Sequence, residues 1–272
     1  MPRRVLNMRL LLALVVARAA EPENTPALQA LVSSAENFDR CALRRGAVPS
    51  GVAAEPLMRA AEALMPAFDA YGSFFGHVAR KDLLGNVRKL ERLGATDASD
   101  VGRLPLADAD ITHPDSASRA LFWTNRIFQQ IAGTFENLLD DGDASLYRCS
   151  LDAYEAVTAP YNSAAHRAIA KILFRIVPSR DAFVAIYGGA AFGDVAPTLR
   201  RWLDASAPAR RSLDAYFDGR GWLKPPLRFG GEGACRTGAG DLCADVADAP
   251  PPPSPPPRAF AEAAWLATPA LW

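Results

Sequence analysis

Apolar residues in this chain recur every three or four positions, run after run, and nowhere alternate with polar ones in the manner of a strand. Leu28, Leu31, Val32, Ala35, Phe38 and Ala42 open the series. Leu57, Ala61, Leu64, Met65 and Phe68 continue it, and Leu121, Phe128, Ile131, Phe135 and Leu138 repeat it. A helix places residues three and four apart on one face, whereas a strand places every second residue there, so this spacing predicts an all-α chain. Half of the 272 residues are apolar, enough for a substantial core.

Punctuation divides the pattern into helices. Thr25-Pro26 reads as an N-cap followed by proline at the first helical position, and Gly46 closes that helix before a Pro/Gly/Ser linker. Pro56 opens the next helix, Pro66 predicts a kink or a restart inside it, and Gly72 ends it. A regular helix is expected from Phe74 to Leu93, then a long surface loop from Ala95 to Ser118, then a helix from Arg119 to about Leu139. Asp140-Asp-Gly-Asp143 lacks the ligand register of a calcium loop and reads as an exposed acidic turn. Helical spacing resumes from Leu151 to Val177 with a break at Pro160, and again from Ser179 to Ile186. Two short helices are expected at the end, Pro197 to Ala205 and Pro208 to Phe217. The helical domain is thus placed at residues 25–222. Residues 223–272 are Gly- and Pro-rich, and the run from Pro250 to Pro257, broken only by Ser254, favours an extended or disordered tail.

Thirty basic and thirty acidic residues cancel, so neither a nucleic acid nor a polybasic membrane anchor is favoured. Residues 1–20 resemble a targeting segment: Arg3 and Arg4, an apolar run from Leu10 to Ala17, then the small-residue site Ala17-Arg18-Ala19-Ala20. Cleavage there would place the protein in a secretory or organellar lumen. The apolar run is too short to span a bilayer. Cys41, Cys149, Cys235 and Cys243 lack the paired spacing of a zinc site. Cys235 and Cys243 flank a Gly-rich loop that a disulfide can close, whereas Cys41 sits in a helical pattern and reads as readily as a buried thiol. No metal or cofactor is implied. No nucleophile elbow is present, and none of His77, His113 and His166 stands beside an evident Ser or Cys nucleophile, so no enzyme is expected.

Two polar rows remain. Asp82, Asn86 and Lys89 fall on one helical stripe, and Arg119, Trp123 and Arg126 repeat that spacing, so two helices together can grip one polar head group. Met65-Pro-Ala-Phe-Asp-Ala-Tyr-Gly72, Asp82-Leu-Leu-Gly-Asn-Val-Arg-Lys89, Ala120-Leu-Phe-Trp-Thr-Asn-Arg126, Tyr154-Glu, Pro160-Tyr161 and Val177-Pro-Ser-Arg180 carry a likeness in order and spacing. Over about Pro56 to Phe217 the chain resembles the glycolipid transfer protein family.

That resemblance implies a two-layer helical sandwich enclosing an apolar lipid tunnel, with a sphingolipid head group at its surface. It implies that Asp82 accepts from the ceramide amide and a sugar hydroxyl, that Asn86 and Lys89 bind further hydroxyls, and that Trp123 lies flat on the sugar ring. These roles suit the groups: a carboxylate accepts, an amide does both, an ammonium donates, and an indole face covers a pyranose. Asn162 stands where the family has a histidine that donates to the ceramide carbonyl, and His166 lies one turn later. Asn86 and Trp123 match the sugar-binding branch, while Arg119 falls where the phosphate-binding branch has an arginine. Arg126 and Arg180 read as structural partners.

The implied function is non-vesicular transfer of a sphingolipid between membranes, a glycosylceramide first, with ceramide-1-phosphate or another anionic sphingolipid as the alternative. A lipid-sensing adaptor with a proline-rich partner-binding tail is a further one. The resemblance also implies a monomer that touches membranes transiently through exposed aromatics, for which Trp202, Tyr216, Phe217 and Trp222 are candidates. The family usually works on cytosolic membrane faces, at odds with a luminal leader.

Overall fold

Thr25 caps the first helix as its position predicts: its hydroxyl accepts from the Leu28 backbone N–H at 3.2 Å, and α1 runs Pro26–Cys41. The computed structural model describes residues 24–45, 48–70, 76–78, 80–92, 116–219 and 221–223. The expected leader, most of the loop after Ala95, His113, the Cys235–Cys243 pair and the proline run lie outside those residues. The remaining elements are β1 (Ala42–Arg45), β2 (Val48–Val52), α2 (Ala54–Ala63) and α3 (Met65–Asp69), then a π-turn (Arg80–Leu84) and α4 (Gly85–Arg92). They continue with α5 (Ala117–Asp140), α6 (Leu146–Val157), a 3-10 turn (Ala159–Tyr161), α7 (Ala164–Phe174), α8 (Arg180–Ile186) and α9 (Phe192–Asp218).

The fold is an all-α two-layer sandwich with α9 at its centre, packed on both α1 and α5, while α5 also packs on α4 and α6. The break at Pro66 is a restart: α2 ends at Ala63, and α3 begins at Met65 with proline in its first turn. Serines cap four helices, Ser116 on α5, Ser145 on α6, Ser163 on α7 and Ser179 on α8, each accepting a backbone N–H three residues on.

Three features depart from the sequence expectation. First, α1 ends at Cys41, short of Gly46, and residues 42–45 pair antiparallel with residues 48–52, Ala42 opposite Val52 and Arg45 opposite Val48. A pair of short strands beside a helical core needs no alternating buried face, and Pro49 is tolerated because both strands are edges. Second, the expected helices Pro197–Ala205 and Pro208–Phe217 are one helix of 27 residues with both prolines inside it. Each proline forfeits one backbone hydrogen bond. The carbonyls so freed belong to Gly193 and Asp204, both exposed, where water can bond them. Burial of Val195, Leu199, Trp202, Leu213 and Phe217 along the opposite face outweighs that loss. Third, the helix expected from Phe74 to Leu93 contains the π-turn.

Trp202 ties three helices together. Its indole N–H donates to Ser34 Oγ at 3.0 Å, and that hydroxyl donates to the Ala60 carbonyl at 2.9 Å. Phe38 packs edge-on against Phe128 at 4.9 Å and Trp202 at 5.6 Å. Between α5 and α6 a Cβ on Gly133 would stand 3.1 Å from that of Ala153, so glycine there permits the close crossing. Arg180 closes the end of α5, donating to the carbonyls of Leu138 at 3.3 Å and Ala144 at 2.8 Å while lying 4.0 Å from the Phe192 ring centroid. Its role is the structural one expected. Cys41 and Cys149 are buried free thiols. The acidic turn after α5 is exposed, and no cluster of three metal-ligating side chains occurs among the described residues. No described helix is long and apolar enough to cross a membrane.

Candidate functional site

Leu83, Val87 and Leu90 are buried at four- and three-residue spacing, and this stripe seats α4 on α5. Asp82 and Asn86 each precede one of those anchors in the chain, on the segment that packs against α5. Asp82 lies in the π-turn, whose i to i+5 winding is wider than the α-helical turn that carries Asn86 and Lys89. The regular stripe expected from helix spacing is therefore interrupted between Asp82 and Asn86; Asp82 and Lys89 are half-buried, and Asn86 is only 4% exposed. The Asn86 Nδ2 group has no hydrogen-bond partner among the described residues. Burying an amide donor without a partner costs on the order of 1–3 kcal/mol, so this position is poised for an acceptor.

Across the seam, Arg119 is half-buried in the first turn of α5, and Trp123 follows one turn later. Trp123 is 8% exposed and meets Phe122 edge-on at 5.6 Å and Tyr161 at 6.3 Å. The platform expected to lie open is thus walled by an aromatic cluster, in which Phe122 also meets Tyr161 at 4.9 Å. Tyr161 ends the 3-10 turn, and Asn162 follows as its C-cap. Asn162 is buried, and its amide donates to the Tyr154 hydroxyl at 3.0 Å, so one of its two N–H groups is already engaged. Burial pushes the Tyr154 phenol up, against the Asn162 hydrogen bond. His166 stands half-buried in the first turn of α7, where the Ser163 cap takes its backbone N–H at 3.3 Å.

Arg126 turns the other way. Its guanidinium pairs with Asp214 of α9 and lies 5.5 Å from the Phe122 ring. Asp214 also accepts from Asn125 at 2.7 Å and from Gln129 at 2.6 Å. Gln129 accepts from Arg210 at 2.7 Å, and Arg210 donates in turn to Ser206 at 3.1 Å. Burial lowers the Arg210 pKa, while Glu136 and Asp214 oppose that shift. The structural role expected of Arg126 holds, but the partner was not legible, because Asp214 lies 88 positions away.

A cavity of about 80 Å³ lies between α1, α3, α5, α6 and α7. Leu31, Leu64, Phe68, Ile131, Phe135 and Phe174 make much of its wall, and Gln130, Thr134 and Ser150 interrupt it. Of the aromatics expected to dock on membranes, Trp202 and Phe217 are fully buried, and Trp222 stacks on Phe217 at 6.0 Å. Among the described residues the large exposed apolar side chains are Val32, Ile172 and Ile176, the last two at and just beyond the end of α7.

The model of the glycolipid transfer protein family matches residues 52–189, just over half of the chain. No curated protein sequence matches significantly. Among solved structures, human ceramide-1-phosphate transfer protein bound to ceramide-1-phosphate is 18% identical, with a TM-score of 0.62 over 71% of this chain and 97% of that one. Accelerated-cell-death 11 of Arabidopsis, in a mutant complexed with ceramide-1-phosphate, is 18% identical, with a TM-score of 0.60 over 74% and 98%. FAPP2, described as selecting simple glycosphingolipids through the same fold, is 20% identical, with a TM-score of 0.59 over 70% and 95%.

Proposed function

The chain belongs to the glycolipid transfer protein family, whose members carry lipids and are not enzymes, and on that premise we propose that it moves a glycosylceramide between membranes. The observation that carries the head-group assignment is the buried amide nitrogen of Asn86, without a partner among the described residues, one turn along the chain from Asp82. A neutral amide donor together with a carboxylate acceptor suits a sugar, which offers hydroxyls that both accept and donate. Trp123 supplies an apolar edge for the ring's C–H face. Lys89 donates to a further hydroxyl, and Asn162 spends its remaining N–H on the ceramide carbonyl.

Arg119 supports the second reading, an anionic head group such as ceramide-1-phosphate, since a guanidinium binds phosphate oxygens in pairs. Pulling a two-chain lipid into water costs roughly 20 kcal/mol at about 0.8 kcal/mol per methylene. The cavity, widened by the chains that enter it, removes most of that barrier. Membrane contact falls to the end of α7, where Ile172 (36% exposed) and Ile176 (54%) stand beside the exposed Arg175, with Lys171 already paired to Glu155 at 3.2 Å, a small apolar edge with one basic residue suited to a lipid surface.

Vesicle-to-vesicle transfer of fluorescent glucosylceramide and ceramide-1-phosphate tests this. Glucosylceramide is expected to move faster, and Asp82→Val to slow it at least tenfold. Ile176→Asp is expected to weaken vesicle binding while leaving head-group selectivity intact. No movement of glucosylceramide, or full activity in Asp82→Val, sinks the proposal. Faster movement of ceramide-1-phosphate hands the head group to Arg119.

A further inference from the structure

We propose that the cavity reads an oxygen substituent on the lipid chain, through a polar strip of Gln130, Thr134 and Ser150 in its otherwise apolar wall. The inference rests on the lipid-carrying function above and adds a preference for a chain bearing a hydroxyl far from the head group.

The strip lies at the α5–α6 seam. Gln130 and Thr134 are one turn apart on α5 and share a face. The Gly133–Ala153 approach and the Asn137 amide donating to the Cys149 carbonyl at 3.1 Å set the register of the two helices, which brings Ser150 opposite the turn that holds Thr134.

Donors and acceptors can be counted one by one. Gln130 Oε1 accepts from the Thr158 hydroxyl at 2.7 Å, which orients the amide and leaves its Nε2 protons unspent on any described residue. The Thr134 hydroxyl gives its proton to the Gln130 carbonyl at 3.0 Å, so toward the cavity it can only accept. Ser150 is buried, and its hydroxyl bonds to no described residue. Three groups that can donate, accept and do both therefore line a wall meant for hydrocarbon. A chain hydroxyl, which donates and accepts at once, complements them. A plain chain laid over them strips water from Gln130 and Ser150 and returns nothing, so the wall both favours the hydroxylated chain and penalises the plain one.

Position narrows the ligand further. At about 1.5 Å per helical residue, Gln130 and Thr134 lie roughly 10 and 16 Å along α5 from Trp123. A hydroxyl next to the ceramide amide falls short of that distance; one near the middle of the acyl chain reaches it.

The test is vesicle transfer of two glucosylceramides that differ only in the acyl chain, stearoyl against a hydroxystearoyl with its hydroxyl at mid-chain. The expected result is about a tenfold preference for the hydroxylated lipid, lost in the double variant Gln130→Leu, Ser150→Ala. Ser150→Ala alone gives up no protein hydrogen bond and should halve the preference or better without loss of folding. Equal rates for the two lipids, as expected if the strip merely holds a water molecule, overturn the proposal and leave lipid carriage standing. A preference that survives the double variant overturns it too. Transfer of neither lipid overturns the glycosylceramide reading instead, and the same two acyl chains on ceramide-1-phosphate then decide the chain preference, equal rates there overturning it.

Discussion

Helix α5 carries two polar seams built from similar residues, and they are finished differently. Toward α9, Asn125, Arg126 and Gln129 each give at least one hydrogen bond to Asp214, and Arg210 extends the set through Gln129 and Ser206. Toward α4, Asn86 is as deeply buried as Arg126, yet its amide nitrogen reaches no partner among the described residues. A buried polar group that has found its partners holds the fold together, whereas one kept dry and unpaired stores a cost that a ligand can relieve. The difference is one of degree: each side chain of the α9 seam has at least one partner although Asn125 Oδ1 and Arg126 Nε have none, whereas the Asn86 amide nitrogen has none at all among the described residues.

The sharpest way to break this comparison is Asp214→Ala. It strands the buried Arg126 guanidinium, so stability to urea should fall by about 3 kcal/mol, while lipid selectivity of the folded fraction stays unchanged. A loss below about 1 kcal/mol would demote the α9 seam to a surface contact. Asn86→Leu is the mirror test: stability should rise by about 1 kcal/mol, because the burial cost of the unpaired amide goes and no protein hydrogen bond is lost, while lipid affinity in a binding titration drops about fivefold to tenfold. A large loss of stability with unchanged binding would move Asn86 to the structural side.

The buried thiols give the smallest effect. Burial pushes Cys41 up to about 12 and Cys149 up to about 11, from an ordinary 9.0. Folded values above the unfolded one mean that this stabilisation is complete below pH 9 and is lost as pH rises through 9 toward those values. Both thiols should resist alkylation in the native protein at pH 8. By pH 10 stability should have dropped by about 1 kcal/mol per thiol, less so in Cys41→Ala. Rapid labelling at pH 8 would show the helical core to be looser than its packing.

The helices were legible where their signals were local. Apolar spacing marked the buried face of α5 and, through Leu31, Ala35 and Phe38, that of α1, although Val32 is exposed and Ala42 lies beyond the helix; the Thr25-Pro26 pair marked the start of α1, and Pro66 marked the restart. The strand pair at 42–45 and 48–52 was missed because two short edge strands need no alternating face. The π-turn was missed because nothing in Arg80 to Leu84 departs from helical spacing. Pro197 and Pro208 misled because their local cost is set against burial of the opposite face of α9, which only packing reveals. The candidate site was legible as a set of residues, Asp82, Asn86, Lys89, Arg119, Trp123 and Asn162. Not legible were the depth of Asn86, the aromatic wall around Trp123, the Tyr154 contact of Asn162, the Asp214 network and the polar strip in the cavity.

By itself, then, the sequence determined that this chain is helical, where most helices begin and stop, and which polar residues ride on their faces, because helix geometry ties residues three and four apart whatever surrounds them. Only the tertiary structure decided which of those polar residues are spent and which are left for a ligand. Donors and acceptors are matched by partners as far off as Asp214 is from Arg126, and no local pattern can say whether such a partner arrives.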